Sequence, residues 1–130
     1  MTNSILIGKL IYSTIQSSTD VTALVGDRVY PIVAPADTDF PFIVYTRGNA
    51  YCNTLTKDGW LNDVVSFQIS VASDTYIESA EIANEVRDLF ENCKISNDEL
   101  EIDNIRMTSC AESFNEDTYI QTLYFECNGN

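Results

Sequence analysis

Two pairs of carboxylates come closest, among the residues of this sequence, to the spacing of a chemical site. Asp37 and Asp39 stand two positions apart, and so do Glu101 and Asp103. In a strand this spacing puts both side chains on one face, where a divalent cation could bridge them. Because the chain contains twenty Asp and Glu residues, many such pairs arise by chance. We therefore expect solvated carboxylates and keep a small metal-dependent hydrolase as an alternative.

The residues needed for other common catalytic sites are missing from the sequence. The chain has no His, which excludes nucleophilic catalysis by a Ser or Cys with a His partner. Neither a GxGxxG motif nor a P-loop lysine motif occurs, so nucleotide binding of those kinds is disfavoured. We predict no catalytic residue, no bound metal and no cofactor.

The cysteines and the apolar runs indicate where the protein is made. Four Cys stand at positions 52, 93, 110 and 127 without a CxxC pair, a spacing that does not indicate a zinc site. We expect free thiols that pack as small apolar side chains in a reducing cytoplasm. The run at residues 5–7 is too short for a secretory signal, and no apolar stretch approaches the roughly 20 residues of a transmembrane helix. We therefore expect no membrane partner.

The charge of the chain is strongly negative and unevenly distributed. Residues 1–73 hold six acids and four bases, whereas residues 74–130 hold fourteen acids and three bases, for a net charge of −13. Such a surface repels phosphate, which disfavours a protein that grips DNA. It fits a protein that guides nucleic acid without holding it, and it fits plain solubility equally well.

The length of 130 residues predicts a single domain, residues 1–130, organised around residues 64–93. This unit reads as a half-buried strand followed at once by an amphipathic helix. Thr75 and Glu78 form the capping-box pattern at the start of the helix. The apolar face of the strand is expected to comprise Val65, Phe67, Ile69 and Val71, and the helix stripe to comprise Ile77, Ala80, Ile82, Ala83, Val86, Leu89, Phe90 and Cys93.

The chain before this unit predicts a helix, a short turn and two strands. Asn3 or Ser4 is expected to cap a helix that ends near Gln16, and Asp20 opens a short turn that stops at Gly26. The proline-rich segment that follows predicts an edge strand or an extended connection from residues 29–30, a loop at 35–39 and an interior strand at 42–46. The stripe of the first helix is expected to consist of Ile7, Leu10, Ile11 and Ile15.

Two further segments are expected to project from the core. Residues 47–63 read as a long loop or an extended hairpin tip, on which Tyr51, Leu55 and Trp60 either fold back onto the sheet or anchor a partner. Residues 100–111 and 119–127 read as an antiparallel hairpin that turns near residues 115–117. Arg28 and Arg47 are expected to pair with carboxylates, within the subunit or across an interface.

Taken in order, these elements resemble the tail-completion or tail-terminator family of long-tailed bacteriophages. The resemblance covers nearly the full chain. It rests on three short segments, which are ALVGDRVYP, the strand PFIVY, and the strand SFQISVAS with the helix AEIANEVRDLF.

The resemblance implies a small α+β subunit, with a mainly antiparallel sheet of about four to five strands and two helices packed on one side. Family members are structural proteins of the virion and not enzymes. They assemble as a ring, typically of six copies, that caps the tail tube at its head-proximal end and meets the connector or stopper protein below the portal. DNA passes through such a ring without specific binding.

Two kinds of surface are candidates for this role. The edge of the closing hairpin and the loop at residues 47–63 are candidate contacts with neighbouring subunits, with Arg47, Tyr51, Leu55 and Trp60 as the residues of that loop. Acids that could line the lumen are Glu78, Glu81 and Glu85 on the helix, and Glu112, Glu116 and Asp117 at the hairpin tip. The sequence leaves open which cluster faces inward. A monomeric acidic adaptor that mimics DNA is the alternative function.

Overall fold

The computed structural model describes residues 3–52, 55–56, 59–60 and 63–129, with the side chains of residues 52, 55, 56, 59 and 60 outside the description. A 3-10 turn, Ser4–Leu6, leads into three α-helices. The helices are α1 (Ile7–Ser17), α2 (Thr19–Val25) and α3 (Tyr76–Phe90). The strands are β1 (Val29–Pro31), β2 (Phe42–Cys52), β3 (Leu55–Thr56), β4 (Gly59–Trp60), β5 (Asp63–Ser73), β6 (Ile95–Ser96), β7 (Glu101–Asn115) and β8 (Thr118–Gly129).

Six strands form one mixed sheet in the order β1-β2-β5-β8-β7-β6, while β3 and β4 form a separate two-stranded ladder. The α+β class is confirmed, but the expected four to five strands are too few. The prediction of a mainly antiparallel sheet omitted one parallel pair, β1 with β2. The parallel pairing arises because the connection at residues 32–41 carries the chain back along β1 before β2 begins.

The core lies between one face of this sheet and the helices. Phe67 of β5 stacks on Phe125 of β8 with ring centroids 5.0 Å apart, and Phe90 of α3 meets the edge of Phe67 at 5.6 Å. The predicted alternation of β5 and the predicted stripe of α1 are confirmed, because all of their apolar members are buried: Val65, Phe67, Ile69, Val71, Ile7, Leu10, Ile11 and Ile15.

Three helices, rather than two, enclose the core, and α2 packs against α1 and α3. The short turn expected after Asp20 is helix α2, and Ser18 caps it by accepting a hydrogen bond from the Val21 backbone N–H at 3.3 Å. Neither residue expected to cap the first helix does so. Asn3 donates from its amide to the Glu99 carbonyl at 2.7 Å, and Ser4 donates from its hydroxyl to the Asp63 carboxylate. Both side chains therefore bond to distant parts of the chain and not to the backbone N–H groups of the helix.

The start of α3 is capped by a variant of the expected capping box. Thr75 accepts from the Glu78 backbone N–H at 3.4 Å, as predicted. The Glu78 carboxylate, however, accepts from the Ser73 hydroxyl at 2.7 Å, and the Ser73 oxygen accepts from the Thr75 N–H at 3.2 Å. Ser73, which is buried at the end of β5, therefore links the Glu78 carboxylate to the Thr75 N–H in place of a direct hydrogen bond.

The predicted stripe of α3 is wrong at its first position. Ile77 is 64% exposed, and the buried residue of that turn is Ser79, which donates to the Tyr76 carbonyl at 2.7 Å. Ile77 stands two residues before Ser79, about 200° around the helix axis, and its side chain therefore faces solvent. The rest of the buried stripe consists of Ile82, Val86 and Phe90.

Strands β7 and β8 form the predicted closing hairpin, which is longer than expected at its tip and at the end of β8. Its two-residue turn consists of Glu116 and Asp117, with φ of 50° and 61°. Two successive positive φ values are the geometry of a type I′ turn, whose twist matches that of the flanking strands. The hairpin therefore stays regular up to its tip.

The face of the sheet opposite the helices carries no helix of the described chain. In one row across this face, Phe42 is paired with Ala72, and Ala72 is paired with Ile120. In the next row the Ser70 hydroxyl lies 3.2 Å from the Thr122 hydroxyl. We call this side the uncovered face; it is apolar at the Phe42 end and polar beyond it.

Candidate assembly surfaces

Residues 47–63 are expected to be a long loop or an extended hairpin tip, and their described part forms an extended hairpin. Strand β2 continues to Cys52 and β5 begins at Asp63, opposite it, and the β3–β4 ladder follows between them. Arg47 and Tyr51 are exposed, the latter by 56%. Leu55 and Trp60 face each other in the β3–β4 ladder, but their side chains lie outside the described residues.

A bulge sets the direction of this hairpin. The register of β2 shifts between Arg47 and Ala50, so that two residues oppose Ser66 of β5. The Ser66 hydroxyl accepts from the Asn49 N–H at 2.9 Å, and a Cβ at Gly48 would lie only 2.4 Å from that hydroxyl oxygen. A side chain at this position would displace the Ser66 hydroxyl and break its hydrogen bond, which favours glycine at the bulge. The bulge increases the local twist of the strand.

The candidate acids of α3 differ in how tightly they are held. Glu78 is half-buried and is fixed by the hydrogen bond from Ser73. Glu81 is exposed and Glu85 is half-buried further along the helix. Of the three, Glu78 therefore also has a structural role at the helix start, where the capping-box pattern predicted that it would contact the Thr75 backbone N–H.

The candidate acids of the hairpin tip divide in the same way. Glu112 accepts from the Tyr76 hydroxyl at 2.9 Å and from the Gln121 amide at 3.2 Å. The hydrogen bond to the Glu112 carboxylate, together with its negative charge, raises the pKa of Tyr76 above its usual value. Glu116 and Asp117 are exposed in the turn. Side-chain hydrogen bonds therefore fix Glu112, whereas the two acids of the turn project into solvent.

An aromatic cluster, which the sequence did not predict, brings these two groups of acids to the same end of the molecule. Tyr119 of β8 lies 4.8 Å from Phe114 of β7 and 6.0 Å from Tyr76 of α3, between ring centroids. Since Tyr76 also donates to Glu112, the hairpin and the first turn of α3 are joined on the helix side of the sheet. The exposed acids of both elements accordingly share one end.

Most of the described cationic side chains form ion pairs within the subunit. Four ion pairs are formed, which are Lys9–Glu99, Arg87–Glu91, Lys94–Glu101 and Arg106–Glu126. Arg28 donates to the Pro41 carbonyl at 2.9 Å and Arg47 to the Gly48 carbonyl at 3.1 Å. Within the described subunit, the expected pairing of these two arginines with carboxylates is wrong, because backbone carbonyls lie closer to them.

The carboxylate pairs singled out from the sequence do not form a shared site. Asp37 lies in a turn with φ of 62°, not in a strand, and Glu101 is held by Lys94 at 2.7 Å. Across the described chain, no three His, Cys, Asp or Glu side chains come together as metal ligands. Among the described helices none is both long and apolar enough to cross a membrane.

The prediction that the thiols are small buried side chains holds at one described position. Cys127 is fully buried, and burial raises the pKa of its thiol to about 12. Cys93 is half-buried and Cys110 is exposed, and all three are free. Cys110 lies on the outer part of the hairpin, beyond the core, whereas the side chain of Cys52 is outside the described residues.

The model of the tail completion protein gp17 family matches residues 9–125 of the chain. The chain belongs to this family. It is therefore a tail completion protein, a structural component of a phage-type tail and of the virion. The resemblance read from the sequence is confirmed. No curated protein sequence matches the chain significantly.

Solved structures show the same fold. A chain from the virion of a native gene transfer agent particle has a TM-score of 0.80 at 19% identity, covering 97% of this tail completion protein and 96% of that chain. A second solved structure has a TM-score of 0.67 at 12% identity, covering 98% of this chain and 96% of that one. At such identities the likeness extends to the fold alone.

Proposed function

We propose that this tail completion protein forms a closed ring, of six copies, that terminates the tail tube and joins it to the head connector or stopper protein. Family membership supports a place in the tail. The observation that carries the ring is a pair of unpaired sheet edges on opposite sides of the subunit. They suit the contact of one patch with a different patch that ring closure requires.

Each edge of the sheet is covered over only part of its length. Strand β1 pairs with β2 at residues 43–45, and β6 pairs with β7 at residues 101–102. The carbonyl of Ile105 accepts from the Asn92 N–H at 2.8 Å, which extends that cover. Among the described residues, the outer sides of 46–52 in β2 and of 106–115 in β7 carry no further strand. We call these stretches the β2 edge and the β7 edge.

The directions of the two edges match. Strand β2 is antiparallel to β5, β5 to β8, and β8 to β7, so β2 and β7 run in opposite directions within one sheet. When two copies stand side by side in the same orientation, the β7 edge of one is antiparallel to the β2 edge of the next. Antiparallel pairing is the more stable arrangement, and repeating the contact around an axis closes a ring.

The charges of the two edges also suit pairing. Residues 48–52 and 107–111 contain no charged side chain, although the chain has a net charge of −13. Edge strands of monomers are usually protected by charges or prolines, so these uncharged stretches favour pairing with another chain. Arg47 and Glu112 flank them, both exposed and opposite in sign. We propose that they form a pair across the interface, as the sequence suggested for Arg47.

The remaining candidate residues have roles in the same proposal. Tyr51, Leu55 and Trp60, on the hairpin between β2 and β5, contact the neighbouring subunit or the tube. Of the candidate acids, Glu78, Glu81, Glu85 and Asp117 face the lumen together, because the start of α3 and the hairpin tip share one end of the subunit. Glu112 is instead used in the pair with Arg47, and Glu116 lines a groove on the uncovered face. A negative lumen repels DNA phosphates and lets DNA pass without specific binding.

Substitution of one residue on the β7 edge tests the ring. Ala111 is exposed in this edge, and Ala111→Lys adds the kind of charge that blocks edge pairing. Purified tail tubes made without this protein are mixed with wild type or variant, and the tube ends are examined by electron microscopy. Wild type should give a six-fold ring at one end, and Ala111→Lys should give at least ten-fold fewer rings.

Ala23→Lys is the matched control, since Ala23 is exposed on α2, away from both edges. It should leave the number of rings unchanged. Bare tube ends with wild-type protein, together with a monomeric mass, would contradict the ring and would support the monomeric acidic adaptor instead. Rings formed equally by Ala111→Lys would show that the copies meet through another surface.

A further inference from the structure

An apolar patch lies at one end of the uncovered face. Phe42, Val44, Ala72 and Ile120 form its floor on three neighbouring strands, and Phe40 stacks on Phe42 with ring centroids 5.7 Å apart. Ile32 and Val33, which follow β1, rise beside them with 74% and 72% of their side chains exposed. Phe40 is also exposed, whereas Phe42, Val44 and Ile120 are half-buried and Ala72 is buried. Contiguous apolar side chains that remain partly in solvent mark interaction sites. We call these seven residues the apolar patch.

The backbone at Ile32 is strained. Ile32 has φ of 67°, and the Val33 N–H donates to the Pro31 carbonyl at 2.6 Å across it. A three-residue turn with a positive central φ is rare, and for a β-branched residue this region is sterically costly. Strain of this kind is typical of functional sites. Burial of Ile32 within the subunit does not offset it, because the side chain lies in solvent.

The surroundings of the apolar patch are acidic. Glu116 lines the groove between the patch and the hairpin turn, and Asp37 and Asp39 lie in the connection that joins Val33 to Phe40. None of these three carboxylates has a cation partner among the described residues. A surface that covers the patch must therefore bring apolar side chains and positive charge together.

The described residues of a second copy do not supply that charge. Four of its described cations are held in ion pairs, Arg28 is held by a backbone carbonyl, and Arg47 is used in the ring contact proposed above. Two copies would also bring two strongly acidic surfaces together, which costs free energy. The ring contact proposed above, moreover, uses the edges of the sheet and leaves this face free.

We infer that the apolar patch docks a different virion protein, through a segment in which apolar side chains stand beside Lys or Arg. The apolar residues of that segment bury the patch, and its cations pair with Asp37, Asp39 and Glu116. This inference rests on the proposed position of the ring between tube and head, where each face of the ring meets another protein.

Joining of heads to tails in vitro tests the inference. Heads without tails and tail tubes made without this protein are mixed with purified protein, and joined particles are counted by electron microscopy. The double variant Ile32→Ser, Val33→Ser should give at least ten-fold fewer joined particles. Ile5→Ser is the matched control, since Ile5 is 73% exposed at the N-terminal turn, outside the patch, and it should join as wild type does.

Ile32→Gly separates docking from folding. Glycine adopts positive φ without strain, so this variant should melt no lower than wild type and still join at least ten-fold fewer particles. A melting temperature below that of wild type would show that Ile32 serves packing instead, and would overturn the inference.

The acids are tested by salt. Wild-type joining should weaken as salt rises, and Asp37→Asn with Asp39→Asn should reduce both joining and its salt dependence. Asp88→Asn with Asp98→Asn removes two exposed charges elsewhere and should change neither. Equal joining by all variants would overturn the inference, and so would loss of contacts between copies in the patch variants. Failure of wild type itself to join particles would instead contradict the proposed function.

Discussion

Strand β7 passes through two environments along one continuous ladder. In its first half Ile102 and Ile105 are buried beneath the helices, whereas from Thr108 to the turn every residue is exposed. Both halves pair with β8, so backbone hydrogen bonding does not distinguish them. The difference lies in what covers the side chains. The inner half stabilises the subunit, and the outer half is left available for a neighbouring molecule.

The two described cysteines of this hairpin should show the largest difference between its inner and outer parts. Cys127 is buried and its sulfur lies 3.4 Å from the Val65 carbonyl, while Cys110 is exposed. With a pKa of about 12, only about one Cys127 thiol in ten thousand is ionised at pH 8. A thiolate-specific reagent should therefore label Cys110 in minutes and leave Cys127 unlabelled, as measured by peptide mass spectrometry.

Cys110→Ser is the control, because it should remove the fast label without exposing Cys127. Rapid labelling of Cys127 in the folded protein would contradict the division of the hairpin into a buried and an exposed part.

Two phenylalanines compare the stability of the same regions. Phe67 is 1% exposed among the core rings and Phe114 is 57% exposed near the hairpin tip. Phe67→Ala should lower the free energy of unfolding by about 3–5 kcal/mol, because it leaves a cavity. Phe114→Ala should cost about 1 kcal/mol or less, since it loses only its contact with Tyr119. Urea denaturation measures both, and equal losses would contradict the comparison.

The start of α3 is where the two regions meet, and its cap should contribute an intermediate effect. Thr75→Ala should cost about 1 kcal/mol of stability, because the Glu78 N–H loses its acceptor. Thr75→Ser keeps a hydroxyl that can accept this hydrogen bond and should retain most of that stability. Thermal denaturation checks the pair, and a Thr75→Ser variant as unstable as Thr75→Ala would show that the cap is not the cause.

The smallest effect is expected at the other end of α3. The hydrogen bond from Arg87, together with its charge, lowers the pKa of Glu91 from 4.5. The pair therefore contributes stability above the unfolded pKa and loses it as the pH falls through the lower folded value. Because the pair lies on the surface, the contribution is small. Between about pH 5 and about pH 3, wild type should lose slightly more stability than Glu91→Gln. Identical stability profiles of the two proteins would contradict this.

The core could be predicted from the sequence because it is set by periodicity. The alternation of β5 and the stripe of α1 place each apolar residue on one face without reference to any other element. The same reasoning failed at Ile77, because the apolar spacing did not show that Ser79, and not the isoleucine, takes the buried position of the first turn. It also missed the parallel pairing of β1, which depends on the path of residues 32–41 and not on the strand itself.

The candidate surfaces were predicted only as segments. The sequence marks residues 47–63 and the closing hairpin by their turn residues, but the sharing of one end by α3 and the hairpin depends on contacts of Tyr76 with Glu112 and Tyr119. The apolar patch was hidden for a related reason. Phe42 and Val44 read as an interior strand with two buried faces, whereas one face of that strand is uncovered.

Electron microscopy of tail-tube ends with the Ala111→Lys variant tests whether the β7 edge pairs with the β2 edge of a neighbouring copy. We expect a six-fold ring on one end of each tube with wild type and with Ala23→Lys. Ala111→Lys, shown to be folded by its melting temperature, should leave the tubes without rings. Rings of normal frequency with folded Ala111→Lys would contradict pairing between the β7 edge and the β2 edge.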